Sequence, residues 1–179
     1  MLDTIQKFDW RLLDVIRDAL SCDFLDAVMP VITFLGNSGA IWILCAVIML
    51  FTRRYRKNGV LTLCALAAGF LLGNLLIKNI AARPRPFELR EGIELLIKQP
   101  GEYSFPSGHA LSSTIGAAML TYADRRFGYA AIPLALTISF SRLYLYVHFL
   151  TDVLGGCILG MLIAYTAVRA FKSMDNRKT

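Results

Sequence analysis

The chain has 179 residues, of which 56% are hydrophobic, and a mean hydropathy of +0.53, which favours one compact membrane-inserted domain over a soluble one. The formal net charge is +6, but Lys and Arg occur in short clusters between apolar runs, and no basic face with interleaved aromatic residues is evident. This distribution argues against a nucleic-acid partner. The four cysteines have no metal-ligand spacing and imply no disulfide.

Residues 1–22 are predicted to form an amphipathic N-terminal helix that lies at the membrane surface. Charged residues are interspersed among apolar residues that recur at helical spacing: Leu2, Ile5, Phe8, Leu12, Ile16 and Leu20. Packing of this helix against the membrane-embedded part of the chain is a compatible alternative.

Five apolar stretches follow. The first, Phe24–Phe51, is interrupted by Pro30 and by a Gly-Asn-Ser-Gly run at 36–39. Since about 20 residues are needed to cross the hydrocarbon, one broken helix is favoured over two short crossings. The other four stretches are 60–77, 107–123, 127–147 and 153–168. The predicted fold class is therefore all-α, a polytopic membrane helical bundle of about five transmembrane helices, the first one broken, in a single domain of residues 1–179.

The basic connections predict the orientation of the bundle. With five crossings, the clusters at 53–57, 125–126 and 172–178 fall on one side, which is then cytoplasmic. The acidic N-terminus and the segment 83–105 fall on the opposite side. The charged clusters described next also lie there, so the chemistry is predicted to be extracytoplasmic.

Ionisable residues at the edges of apolar stretches are costly and usually functional. Three clusters contain them: Lys78 with Arg85-Pro86, then Pro106-Ser107-Gly108-His109, then Ser141-Arg142 with His148 and Asp152. Each cluster alone has a structural explanation, such as a helix-end cation that extends toward lipid headgroups or a hydrogen-bonded buried histidine. Three clusters on one membrane face favour a site that binds and cleaves a phosphate.

The local sequence supports that chemistry. Pro84 and Pro86 stop a helix and favour an extended chain, so neighbouring cations are free to turn into one pocket. A helix start that contains Gly108 offers free amides to an anion. The one-turn spacing of His148 and Asp152 lets the carboxylate accept a hydrogen bond from one imidazole nitrogen and hold the other nitrogen toward the pocket.

These clusters resemble the three-part signature of the type 2 phosphatidic acid phosphatase (PAP2) superfamily, K-x6-R-P, P-S-G-H and S-R-x5-H-x3-D, at every fixed position within residues 78–152. The five-helix layout is similar to that of the small bacterial integral-membrane members. The resemblance implies a lipid phosphatase in a bacterial cytoplasmic membrane, with undecaprenyl diphosphate as the preferred substrate. Phosphatidylglycerophosphate, phosphatidate and lipid A are the alternatives.

The resemblance also implies roles for individual residues. His148 would attack phosphorus and carry a phosphohistidine, Asp152 would orient His148, and His109 would serve as general acid and then activate water. Five residues would bind the phosphate: Lys78, Arg85, Ser107, Gly108 and Arg142.

No metal or other cofactor is expected, because three fixed cations supply the positive charge and no carboxylate cluster suited to Mg²⁺ accompanies the motifs. The expected partners are the lipid phosphate substrate and membrane lipids, with no obligate protein partner. A non-enzymatic phospholipid-binding or transport protein is the alternative from another class. Such a protein would need the cations but not the His148–Asp152 pair opposite a second histidine. A haloperoxidase is not expected in so small a membrane-embedded chain.

Overall fold

A computed structural model describes residues 2–176 and contains no strand among them, so the predicted all-α class is confirmed. The helices are α1 Leu2–Leu20, α2 Asp23–Leu35, α3 Ala40–Phe51, α4 Arg56–Gly69, α5 Lys78–Ala81, α6 Pro86–Leu89, α7 Gly108–Ala123, α8 Arg125–Tyr144 and α9 Leu150–Asn176. The basic residues Arg177 and Lys178, which contribute to the predicted orientation, lie outside the described residues.

The first apolar stretch folds as the predicted broken helix. The helices α2 and α3 meet at a 3₁₀ turn, Asn37–Gly39, and their axes bend by 44° there. Gly39 closes this turn at φ +69°, a left-handed conformation that glycine adopts without steric strain. Pro30 lies inside α2 without ending it, so the break comes from the glycine run and not from the proline.

Two stretches of the described chain, Arg56–Leu89 and Leu150–Met174, are long and apolar enough to cross a membrane, and the bent pair α2–α3 adds a third candidate. Helix α7 has only 16 residues, fewer than the roughly 20 that a crossing needs. Helix α8 has 20 residues, but it includes polar residues such as Arg142. The membrane character of the bundle is supported, while the count of five crossings stays a prediction.

The sequence predicts that the second helix ends at Lys78, but in the structure the helix continues beyond this residue. A π-helical segment, Phe70–Ile77, joins α4 to the single turn α5, and the helix ends at Ala82 with φ +43°. The chain then runs without regular structure to Arg85, as expected of residues that precede Pro84 and Pro86. Lys78 therefore sits on a helical turn, facing the loop that follows.

Helix α7 is the centre of the packing and contacts α4, α8 and α9. Its small residues permit the predicted close approach of neighbours. A Cβ on Gly116 would lie 2.3 Å from the Trp42 ring, and the Trp42 indole donates a hydrogen bond of 3.1 Å to Ser113 Oγ. Shape and hydrogen bonding together fix α3 against α7.

Helix α1 packs one of its faces against the bundle, which is the alternative that the sequence left open. Asp9, Leu13 and Ile16 are buried against the bundle, and α1 contacts α8 and α9. Four large apolar side chains of the same helix are exposed: Ile5, Phe8, Val15 and Leu20. A fully buried Asp9 requires partners that only the folded chain supplies. The exposed apolar face is compatible with a membrane surface, and the interfacial location of α1 stays a prediction.

The last two helices differ from the prediction at their ends. Helix α8 was predicted to reach Val147 but ends at Tyr144, and α9 begins at Leu150, three residues before the predicted start. The intervening turn is apolar and fully packed, which made it indistinguishable from helix in the sequence. Tyr146 has φ +59° there and reverses the chain.

Candidate active site

The predicted site residues converge at one end of the bundle, where α5, the start of α7, the end of α8 and the start of α9 meet. Six of the eight lie on the wall of a cavity of about 1060 Å³: Lys78, Arg85, Gly108, His109, Arg142 and His148. Ser107 and Asp152 are fully buried next to it. Three helix ends and one loop thus bring together residues that are up to 74 positions apart in the sequence.

His148 lies in the turn between α8 and α9, and Asp152 lies in the first turn of α9. The two side chains face each other, with 3.5 Å between His148 Nδ1 and Asp152 Oδ2. Ser104 joins them, because its hydroxyl donates to Asp152 Oδ2 at 2.5 Å and lies 3.4 Å from His148 Nδ1. The predicted pair is therefore a three-residue arrangement that includes a serine from the loop before α7.

Backbone contacts also fix Asp152. Its Oδ2 accepts a hydrogen bond of 2.8 Å from the Phe149 amide, the return contact of a capping box at the start of α9. Its carbonyl accepts a hydrogen bond of 3.0 Å from the Ser107 amide, which ties α9 to the start of α7. The carboxylate cannot rotate away from His148 without breaking the hydrogen bond from the Phe149 amide.

The second imidazole nitrogen of His148 faces the cations. Arg85 Nη1 lies 3.2 Å from His148 Nε2, and a guanidinium only donates hydrogen bonds, so Nε2 accepts and Nδ1 carries the proton. Burial lowers the pKa of His148 well below its usual 6.5, and the nearby Arg85 and Arg142 lower it further. The geometry therefore presents a neutral imidazole with its lone pair on the cavity side.

His109 occupies the first turn of α7, on the other side of the cavity. Its Nε2 lies 3.2 Å from the Thr33 carbonyl oxygen and 3.0 Å from Asn37 Oδ1. Because a carbonyl oxygen only accepts, Nε2 carries a hydrogen. Residues at the break between α2 and α3 thus hold His109 in place. The sequence did not predict this contact.

Three cations surround the cavity and are almost wholly buried. Lys78 Nζ donates to Glu102 Oε2 at 2.8 Å, Arg85 donates to the Glu102 and Val147 carbonyl oxygens at 2.6 and 2.9 Å, and Arg142 Nη1 donates to Thr33 Oγ1 at 2.5 Å.

Glu102 is the carboxylate that offsets this charge. Its side chain is 66% exposed, and the hydrogen bond from Lys78 lowers its pKa.

Two buried polar atoms of the site have no partner within the described chain, Ser107 Oγ and Arg142 Nε. Buried donors are normally satisfied, and an unpaired one costs about 1–3 kcal/mol. Their positions beside the cavity fit donors that await an anionic ligand. Residues 2–176 contain no group of three or more His, Cys, Asp or Glu side chains arranged to hold a metal ion.

The cavity continues from the cations along an apolar wall. Phe34 and Ile43 of the bent helix pair face residues of α4, the π-helical segment and α7, including Leu66, Phe70 and Leu111.

One end of the cavity is therefore cationic and the other suits a hydrocarbon chain.

Sequence reasoning missed several residues that the structure places around the site: Asp9, Thr33, Asn37, Arg83, Glu102 and Ser104. Only Arg83 carried a signal, since it alternates with proline directly before Arg85. The others contact residues distant in the sequence, and their residue types are unremarkable at the positions they hold.

The all-helical fold with its long apolar helices fits the class of membrane-associated phosphatases. Residues 58–174 match the PAP2 superfamily, and the chain belongs to it.

Two relatives that are more than 30% identical are named as phosphatases. An undecaprenyl-diphosphatase of Sulfolobus acidocaldarius is 33% identical over 76% of this chain and 67% of its own length. Phosphatidylglycerophosphatase B of Bacillus subtilis is 32% identical over 79% of this chain and 73% of its own length.

The fold is also similar to the crystal structure of a transmembrane PAP2-type phosphatidylglycerolphosphate phosphatase from Bacillus subtilis. The TM-score is 0.77 and the identity 27%, over 98% of this chain and 88% of that one. The chain is thus a phosphoric ester hydrolase of the PAP2 type with lipid-phosphatase relatives.

Proposed function

We propose that this protein hydrolyses a lipid phosphate or diphosphate through a phosphohistidine on His148. The position of His148 Nε2 carries the proposal: its lone pair faces a cavity lined by Lys78, Arg85 and Arg142, and Nδ1 is held by Asp152 and Ser104. A phosphate drawn to these cations would take over the Arg85 hydrogen bonds. The lone pair of Nε2 would then be free to attack phosphorus.

The proposed reaction has two steps. First, His148 Nε2 forms a bond to phosphorus while the bond from phosphorus to the leaving oxygen breaks, and His109 gives that oxygen a proton. Second, water attacks the phosphohistidine, His109 accepts the proton of the water, and inorganic phosphate leaves as the P–N bond breaks. General acid–base help of this kind contributes about 10²–10⁴-fold. Asp152 stabilises the positive charge that His148 gains in the first step.

In this proposal, Lys78, Arg85 and Arg142 bind the non-bridging phosphate oxygens. Ser107 and the Gly108 amide at the start of α7 add hydrogen bonds to them. Preorganised charges of this kind stabilise a transition state because they need not reorient during the reaction. The unpaired Arg142 Nε and Ser107 Oγ support this assignment. Catalysis is proposed to need no metal ion.

The substrate is proposed to be undecaprenyl diphosphate, with phosphatidylglycerophosphate as the second candidate. The apolar wall of the cavity supports a lipid substrate whose tail enters between the bent helix pair and the π-helical segment. Because one methylene group discriminates by only about 1–3 kcal/mol, such a wall distinguishes tails weakly. The choice between the two candidates follows the named activities of the relatives, and undecaprenyl diphosphate is also the preference from the sequence.

The protein is proposed to cross a bacterial cytoplasmic membrane five times, with α7 and α8 as the two additional crossings. Arg53 and Arg125 then lie on the cytoplasmic side, and His148 lies on the extracytoplasmic side. The segment 83–105 would cover the site from outside.

Phosphate release by the purified protein in detergent tests the proposed activity. His148→Ala should abolish turnover, because it removes the Nε2 lone pair that is proposed to attack phosphorus. His109→Ala should slow steady-state release while a substrate with a good leaving group still labels the enzyme with phosphate. Thermal unfolding of each variant controls for folding. A folded His148→Ala variant that keeps more than a few per cent of the activity would show that the nucleophile is misassigned.

A competition assay tests the substrate. Undecaprenyl diphosphate and phosphatidylglycerophosphate are mixed in the same micelles, and the kcat/KM ratio is read from the two products. The proposal expects the diphosphate to be preferred. A preference for phosphatidylglycerophosphate would transfer the assignment to that lipid, and binding of both without phosphate release would favour a non-enzymatic role.

A further inference from the structure

One guanidinium connects the N-terminal helix to the carboxylate of the candidate site. Arg83 Nη1 donates to Asp152 Oδ1 at 2.5 Å and to Thr151 Oγ1 at 2.7 Å. Arg83 Nη2 donates to Asp9 Oδ2 at 2.8 Å and to Gln6 Oε1 at 2.9 Å. Arg83 also lies over the Phe149 ring, 4.2 Å from its centre. The residue thus contacts α1 and α9 from the segment between α5 and α6.

The hydrogen bond from Arg83, and not the apolar packing of α1, explains why an aspartate occupies position 9. It is fully buried in a row with Leu13 and Ile16, where an unpaired carboxylate would be strongly destabilising. Besides Arg83, it accepts hydrogen bonds from the Thr151 amide at 3.1 Å and the Thr151 hydroxyl at 2.5 Å. These hydrogen bonds of Asp9 are directed at Arg83 and at Thr151, the residue before Asp152.

Arg83 and Arg85 lie on either side of Pro84 and approach the His148–Asp152 pair from opposite ends. Arg85 contacts His148 Nε2, and Arg83 contacts Asp152 Oδ1. The other oxygen, Oδ2, is left for the contacts on the His148 side. Arg83 therefore acts together with Ser104 and the Phe149 amide to keep Oδ2 of Asp152 toward the imidazole.

We infer that Asp9 and Arg83 are positioning residues for the proposed nucleophile, and that α1 contributes to the active site through Asp9. Arg83 orients Asp152, and Asp9 offsets the charge of Arg83 so that Asp152 keeps enough negative charge to stabilise the His148 imidazolium. This inference rests on the proposed function. Asp9 lies outside the three motifs that the sequence shares with the PAP2 signature, and Arg83 occupies a variable position of the first motif.

A second ion pair between the same parts of the chain provides a matched control. Asp14 of α1 and Arg90, just after α6, form a salt bridge, but their side chains are 41% and 42% exposed. Arg90 also contacts the Tyr146 hydroxyl at 2.8 Å, and neither member of the pair contacts Asp152. Exposed pairs of this kind contribute little to stability. Removal of the Asp14–Arg90 salt bridge weakens the attachment of α1 to the rest of the chain without changing the contacts of the Asp152 carboxylate.

The experiment compares kcat and KM of full-length Asp9→Asn and Arg83→Gln with those of Asp14→Asn and Arg90→Gln. Loss of groups that orient a functional imidazole typically reduces activity about 10–100-fold. We expect a decrease of that size in kcat for the first two variants, with KM within about 2-fold of wild type because the phosphate-binding cations remain. The control variants should keep kcat within about 2-fold of wild type. Thermal unfolding confirms that each variant is folded.

The pH profile of kcat/KM separates positioning from a merely structural role. Charges of Lys78, Arg85 and Arg142 also face His148, but they are the same in all variants. Arg83→Gln removes a cation from Asp152, so the imidazolium is better stabilised and the acid limb should move to higher pH. Asp9→Asn leaves the Arg83 cation uncompensated, so the acid limb should move to lower pH. Arg83→Lys keeps the charge and should restore the wild-type limb with only part of kcat.

Opposite shifts of the two acid limbs would support the inference. Limbs that stay in place or move together, or control variants that lose as much kcat, would overturn it. If Asp9→Asn fails to fold, the comparison of Arg83→Gln with Arg83→Lys still tests the inference. Only Arg83→Gln, which removes the charge, should shift the acid limb of kcat/KM. A wild-type protein that releases no phosphate would refute the proposed function instead.

Discussion

Gly36→Ala tests whether the break between α2 and α3 controls the second histidine. Gly36 has φ −84° and ψ −7°, which alanine adopts without strain. A Cβ added there would lie 2.7 Å from His109 Cδ2 and 2.7 Å from Ile138 Cγ2. Carbon atoms in contact prefer about 3.5–4.0 Å, so both side chains would have to retreat by roughly 1 Å.

Gly36→Ala is expected to lower kcat strongly while it lowers the free energy of unfolding only moderately. Overpacking of this kind costs about 1–3 kcal/mol, and replacement of glycine recovers about 0.4–1 kcal/mol from the unfolded state. The protein should therefore stay folded, with a moderately lower unfolding temperature. A displacement of about 1 Å at a catalytic group costs on the order of 10²-fold in rate. We expect kcat to fall by about that factor as His109 leaves the Thr33 carbonyl.

Gly101→Ala is the matched control. Gly101 lies on the same cavity wall, but a Cβ there meets no atom within 4 Å. Phosphate release and thermal unfolding are measured for both variants in the same detergent. If folded Gly36→Ala keeps its kcat within about 3-fold of Gly101→Ala, the argument that Gly36 leaves room for a positioned His109 is wrong.

Four further predictions follow from the site. Exhaustive chelation should leave phosphate release unchanged; a loss that only added Mg²⁺ restores would contradict the metal-free proposal. Ser104→Ala should lower kcat about 10-fold, the scale of a lost orienting contact, while unchanged kinetics would exclude Ser104 from the mechanism. Because the pKa of His148 lies well below 6.5, the acid limb of kcat/KM should also lie below pH 6.5. The folded protein should lose stability as the pH falls below 6.5, because only the unfolded chain takes up the proton there. In intact cells, an impermeant thiol reagent should label a cysteine at Glu94 but not one at Lys57, and the reverse pattern would overturn the orientation.

The sequence indicates which residues come together at the cavity better than it indicates which residues hold them in place. Lys78, Arg85 and His148 were identified because charged and titratable residues at the edges of apolar stretches need a reason to be there. Ser104 is a common residue in a polar loop, and its partner Asp152 is 48 positions away. Only the folded chain shows that the two are hydrogen-bonded.

Asp9 illustrates the same limit within a helix. The periodicity of α1 predicts a helix, as observed, but it gives no reason to expect a charged residue on the face that packs against the bundle. The buried face instead includes Asp9 with Leu13, because Arg83 and Thr151 supply partners from 74 and 142 positions away. Helix ends were uncertain for a related reason, since the turn after Tyr144 is as apolar and as buried as the helix before it.

The elongated cavity has a consequence for turnover. If the apolar wall between Phe34 and Leu66 holds the tail, the dephosphorylated lipid withdraws sideways into the bilayer while inorganic phosphate departs past Lys78 toward water. The two products then leave by separate routes, and neither has to wait for the other. Release of the lipid product would depend on how quickly a hydrocarbon chain moves into the surrounding leaflet, so a stiffer membrane should slow this step even though every catalytic distance is unchanged.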